Sequence, residues 1–212
     1  AGILIGIIFT GALIPNMLQK GAVDVLLSKP VSRSTLLLYK YLGGITYAAI
    51  TGAIFIGGSW LVMSVRSGVW NWGYLATYGT LMLFFAVLYS IGTLTAMLTR
   101  STIAAIVVPI AAWMVGLAVN TAHRATTAFK LPGWIDTTLE GVSWLLPRAG
   151  DINAMNSWFM LRGSFGPEVE ETVKSMQQDL PEIAWVRILV SSGLMVVVML
   201  SASCWVFSRR DH

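Results

Sequence analysis

Apolar residues run through this chain in long blocks, without the alternating or one-sided spacing of a soluble fold. The blocks cover about residues 1–18, 36–65, 74–98, 103–120 and 183–207. Each is near or above the roughly 20 residues that a helix needs to cross a hydrocarbon core. Five membrane-spanning helices are therefore predicted. Between them lie a polar stretch at 19–35, a short connection at 66–71, a tight turn at Thr99-Arg100-Ser101-Thr102 and a long mixed stretch at 121–182. Trp70 and Trp72 border the short connection, a placement typical of the headgroup zone.

The mixed stretch keeps a helical pattern of its own. Gly166-Pro167-Glu168 reads as a helix start, with proline in the first turn and Glu168, Glu170 and Glu171 near the positive end of the dipole. Val169, Val173, Met176 and Leu180 then form one apolar stripe, and Ile135, Leu139, Val142 and Leu146 form another beside Trp134 and Trp144. Ile152, Met155 and Phe159 continue the pattern. Amphipathic or re-entrant helices at one membrane face are expected here.

Composition agrees with the pattern. Hydrophobic residues make up 56% of the 212 and charged residues 11%, where a soluble domain carries about 25% charged. The formal net charge of +4 comes from basic residues scattered singly between apolar blocks, so a nucleic-acid surface is not expected. Their placement sets topology instead. Five alternating spans put Lys20, Lys29, Arg33, Lys40, Arg100, Arg209 and Arg210 on one side with Asp24 and Asp211, a net of +5. The opposite side nets −1 from Arg66, Arg124, Lys130, Arg148, Arg162, Lys174 and Arg187 against eight acids. Lysine and arginine in short loops mark the cytoplasmic side, so the first side, with the C-terminus, is expected to face the cytoplasm. The chain opens inside an apolar run without methionine, and at least one earlier helix is expected upstream.

Chemistry-bearing constellations are scarce. No G-x-x-x-x-G-K-[ST] loop is present to cradle ATP phosphates. His123 and His212 match no zinc spacing, and the single cysteine, Cys204, sits in an apolar block. No acid or base stands out inside a span, where one would mark a proton or ion path. Asp136, Glu140 and Asp151 read most simply as solvated interface residues. Gly44, Ala48 and Gly52 recur at four-residue spacing and make a candidate helix-packing seam. General enrichment of small residues in spans accounts for them equally well.

The polar stretch at 19–35 carries the most information. Lys20, Asp24 and Ser28 share one helical face, with Val23, Leu26 and Leu27 opposite. Pro30 ends this short helix, and Ser32 or Ser34 can cap the next. The sequence Gly21-Ala22-Val23-Asp24-Val25-Leu26-Leu27-Ser28-Lys29-Pro30-Val31-Ser32-Arg33, followed by Leu38-Tyr39-Lys40-Tyr41-Leu42-Gly43, resembles the signature of ABC-2-type permeases. The ending Phe207-Ser208-Arg209-Arg210-Asp211 is similar to their F-x-[RK]-[RK]-D tail. The order of spans and loops agrees over essentially the whole chain.

The resemblance implies an all-α polytopic membrane protein with the ABC-2-type (type V) exporter fold. Five spans would be visible of an expected six. It implies two such subunits per transporter, as a homo- or heterodimer within membrane lipids, and two cytoplasmic ABC ATPase subunits that hold the ATP and Mg. This chain would need no cofactor and hydrolyse nothing by itself. By the same resemblance, residues 19–35 are a coupling helix seated in a groove of the ATPase. Lys20, Asp24, Ser28, Lys29, Pro30 and Arg33 are then the expected coupling residues. The alternative is that Lys29, Arg33 and Lys40 only enforce topology and bind headgroups. The permease for copper-site maturation of nitrous-oxide reductase carries similar motifs, though nothing in this sequence selects that role. The competing class is a non-ABC membrane subunit: a secondary transporter, a membrane enzyme or a structural component of a larger complex.

Overall fold

The computed structural model describes residues 6–7, 11, 32–129, 155–157, 159 and 185–209. Most of the first apolar block, the coupling segment as far as residue 31, and most of the stretch at 121–182 lie outside the described residues, as does the tail from 210. Four long helices make up the rest: α1 Arg33–Ser67, α2 Trp72–Thr99, α3 Thr102–Phe129 and α4 Trp185–Arg209. All four are long and apolar enough to cross a membrane.

Helix ends follow local chemistry. Of the two candidate serines, Ser32 caps α1: its side chain accepts from the Thr35 amide at 3.2 Å, and its carbonyl accepts from Leu36 at 3.0 Å. α1 then runs for 35 residues, about 52 Å at 1.5 Å per residue, well beyond the thickness of a hydrocarbon core. It stops at Gly68, whose φ of 71° suits a residue without Cβ. Asn71 caps α2 through the Tyr74 amide. Arg100 closes α2 in the left-handed region at φ 55°, and Ser101 caps α3 through Ala104.

One boundary departs from the sequence reading. α3 continues to Phe129, where the apolar block ends near residue 120. The added residues hold neither glycine nor proline and include Ala122, Ala125 and Ala128, so nothing local stops the helix once apolarity fades.

α2 is the hub. Two thirds of its spanning window (67%) is buried, against 17% for each of the other three. It packs on α1, α3 and α4, and α1 also meets α4. Phe84, Phe85, Leu88, Tyr89, Ala96 and Met97 of α2 join Leu37 and Tyr41 of α1, Ala105 of α3, and Ile188 and Phe207 of α4 in one core. Apolarity is spread nearly evenly around α2, as a helix surrounded by others requires. Its buried serine and threonine hydroxyls are satisfied within the helix: Thr77, Thr80, Ser90, Thr93 and Thr95 each donate to a carbonyl three or four residues back. The outward faces of α1, α3 and α4 carry large exposed apolar side chains such as Ile54, Ile103 and Val186, which suit lipid.

Glycines permit the closest approaches. Gly6 lies against Phe85, Gly11 against Ile106, and Gly92 against the Ala105 carbonyl. In lipid, such small residues let van der Waals packing replace the missing hydrophobic drive between helices.

Candidate functional site

The site with the clearest link to function is the joint where the segment at 19–35 meets the bundle. Lys20, Asp24, Ser28, Lys29 and Pro30 lie outside the described residues. Ser32 and the backbone of Arg33 are described, and they open α1 directly. The end of the predicted segment, from Ser32 onward, is thus the cap and first turn of α1. Ser34, the second residue of α1, lies beside Cys204 of α4. Leu37 and Tyr41, on the same face, are buried in the core that includes Phe207.

The C-terminal motif divides its labour. Phe207 is buried, whereas Arg209 is exposed with its guanidinium 4.3 Å from the centre of the exposed Trp205 ring. A cation over an indole face is a stable arrangement where hydrocarbon meets water.

From this joint, α1 reaches the hub through a seam of small residues and tyrosines. Gly44 is buried where a Cβ would run into the Tyr89 ring, Ala48 is buried, and a Cβ at Gly52 would lie 3.1 Å from Met82 and 3.4 Å from Tyr78. The two helices are also tied by hydroxyls. Tyr41 of α1 donates to the Ala86 carbonyl of α2 at 2.9 Å. Tyr78 of α2 donates to the Ala49 carbonyl of α1 at 2.8 Å. Ser59 and Tyr74 share a hydrogen bond of 2.9 Å near the far end. The Tyr41 and Tyr89 rings stack at 5.1 Å, and Tyr89 stacks on Phe85 at 5.5 Å.

Beyond that end the turn is an aromatic cluster. Trp60 donates to the Asn71 carbonyl at 2.8 Å and packs against both Trp70 and Trp72. Residues from the long mixed stretch reach in nearby. Met155 is buried, Phe159 presents its carbonyl to Gly73, and Asn156 accepts a hydrogen bond from Thr80. Thr80 lies eight residues into α2, about 12 Å along its axis.

Sequence reasoning missed these tyrosine ties. A signal was available: Tyr74, Tyr78 and Tyr89 recur at four and eleven residues, close to one and three turns, along a single face of α2. Among the described residues, no group of histidine, cysteine, aspartate and glutamate side chains could hold a metal ion.

A model of the family described as ABC-2 family transporter protein matches residues 1–212. The chain belongs to this family. It is a multi-pass membrane permease subunit of an ABC transporter, a transport component and not itself a catalyst. No curated protein and no solved structure matches the chain. The family assignment removes the secondary transporter, the membrane enzyme and the purely structural subunit as readings of this permease.

Proposed function

We propose that this permease converts closure of a pair of cytoplasmic ATPase subunits into rearrangement of its spans, exporting or translocating a substrate. ATP and Mg are held by the ATPases. A second permease subunit, identical or different, completes the pathway. The coupling helix lies within residues 19–31, since Ser32 caps α1 and Arg33 opens it. Lys20, Asp24, Ser28, Lys29, Pro30 and Arg33 contact the ATPase or shape the segment that does. The side bearing the net +5 of basic residues faces the cytoplasm, with the C-terminus, as expected for a bacterial inner-membrane protein.

The observation that carries this reading is continuity. The segment ends at the Ser32 cap of α1, and α1 is seamed to α2, which packs on each of the other described long helices. A push that arrives at Ser32 would pass along α1 to the hub. The type V architecture of six spans extends the same reading. So does a re-entrant element on the outer face, supported by the bond between Thr80 and Asn156. The likeness to the nitrous-oxide reductase maturation branch rests on similar motifs, and nothing in the sequence selects that role.

The test is co-purification of the full chain in mild detergent, followed by ATP hydrolysis in lipid nanodiscs. An ATPase is expected to accompany the wild-type permease. Asp24→Lys and Arg33→Glu are expected to lower its recovery and the coupled turnover at least tenfold. Absence of any ATPase, or full activity in both charge reversals, overturns the reading.

A further inference from the structure

The ties between α1 and α2 form a ladder with one rung left open. Tyr41, Tyr74 and Tyr78 each use their hydroxyl in a bond between the two helices. Tyr89 lies in the same seam and is 3% exposed, yet its hydroxyl has no hydrogen-bond partner among the described residues. A buried hydroxyl without a partner carries its full desolvation cost, more so where lipid surrounds the bundle.

The bonded rung at Tyr78 shows what the open one lacks. Tyr78 lies beside Gly52, and its hydroxyl reaches the carbonyl of Ala49, three residues upstream on α1. Tyr89 lies over Gly44 in the corresponding way, and the carbonyl three residues upstream is that of Tyr41. The tyrosines are spaced by eleven residues and the glycines by eight. A single placement of α1 therefore cannot seat both pairs alike. Gly44, with no Cβ, leaves the α1 backbone open to the Tyr89 hydroxyl.

We propose that the α1–α2 seam has a second arrangement, in which α1 shifts by less than a turn and Tyr89 donates to a backbone carbonyl of α1 near Tyr41. This is the position α1 takes when the coupling segment is pushed, a step that rests on the function proposed above. The described arrangement satisfies Tyr78 and leaves Tyr89 open; the second closes the rung at Tyr89 and strains the one at Tyr78. Packed seams of this kind switch between discrete positions and do not deform smoothly.

The experiment compares Tyr89→Phe with Tyr78→Phe in the full chain bound to its ATPase in nanodiscs, without nucleotide and after trapping with ATP and vanadate. Without nucleotide, Tyr78→Phe is expected to lower the thermal midpoint by about 2–4 °C, and Tyr89→Phe to leave it unchanged or raise it. On trapping, Tyr89→Phe is expected to lose most of the wild-type gain, and Tyr78→Phe to keep it. A nucleotide-free midpoint lowered equally by both variants shows that the Tyr89 hydroxyl is already bonded and overturns the two-position seam. A trapping gain in Tyr89→Phe equal to wild type overturns it as well. If no ATPase binds, the coupling reading falls together with the trigger assigned to α1, while the comparison without nucleotide still decides the rung.

Discussion

Gly92 of α2 faces the backbone carbonyl of Ala105 in α3, so closely that a Cβ on Gly92 would stand 2.9 Å from the oxygen and 3.2 Å from the Pro109 ring. Proline has no amide hydrogen, so Pro109 cannot supply the bond that the Ala105 carbonyl would receive in an unbroken helix. The freed oxygen is turned toward the one helix face that carries no side chain. Gly92→Ala is expected to force α2 and α3 apart and to destabilise the chain by about 1–3 kcal/mol. Pro109→Ala should relieve part of that loss, because it restores the amide donor and removes the ring. Reversible unfolding in mixed micelles of the two single variants and the double variant checks this. The double should be more stable than the sum of the singles requires.

Neighbouring glycines in α1 make a sharper comparison. Gly43 is exposed with nothing within 4 Å of an added Cβ, whereas the same atom at Gly44 would lie 2.6 Å from two ring atoms of Tyr89. Gly43→Ala is expected to be neutral or mildly stabilising, since alanine is the better helix former by about 1 kcal/mol. Gly44→Ala is expected to cost about 1–3 kcal/mol and to disturb the stacking of Tyr89 on Tyr41 and Phe85. Unfolding midpoints, with tyrosine near-ultraviolet circular dichroism as a local report, separate the two.

How much of this was legible in the sequence depends on the kind of force involved. The four described spans follow from apolar length alone, because lipid demands internally satisfied backbone whatever the neighbours are. Ser32, Gly68 and Asn71 could be anticipated as caps because capping is local chemistry. Which helix stands at the centre was harder to see. The sequence of α2 is marked by Thr77, Thr80, Ser90, Thr93 and Thr95 within an otherwise apolar run. That is the composition of a helix surrounded by helices, but it is also common at a lipid face. The open rung at Tyr89 and the bond between Thr80 and Asn156 could not be read, since both depend on how two segments meet in space. The spacing of Gly44, Ala48 and Gly52 was visible; that α2 with its tyrosines lies opposite was not.

Thr80 and Asn156 offer a test of how firmly the long mixed stretch is held to the bundle. Thr80 is buried, and its single hydroxyl hydrogen is shared between the Thr77 carbonyl of its own helix and the Asn156 side-chain oxygen. Thr80→Val conserves shape and leaves Asn156 without its donor. A loss of about 1–2 kcal/mol is expected, with a coupling of about 0.6 kcal/mol in a double-variant cycle with Asn156→Ala. Protease accessibility near residue 156 should rise in step. A cycle with no coupling would show that the hydrogen bond contributes nothing beyond packing.

Gly68 and Arg100 end α1 and α2 with the same left-handed geometry, at φ 71° and 55°, but with opposite chemistry. Glycine adopts this conformation freely, while a residue with Cβ loses about 1–2 kcal/mol there. Gly68→Ala is accordingly expected to destabilise the turn into α2 by about 1 kcal/mol. Arg100 already carries that strain, and in exchange it places a positive charge in the shortest described loop between two spans. A charge in such a loop counts fully toward orientation. Arg100→Gly should relax the backbone yet weaken the topological signal, so stability and insertion are expected to move in opposite directions. Labelling of single cysteines placed beside the turn, from either side of intact membranes, reads insertion, and unfolding midpoints read stability. If Arg100→Gly inserts as faithfully as the wild type, the orientation rests on Lys20, Lys29, Arg33, Lys40, Arg209 and Arg210, and the strain at Arg100 has some other origin.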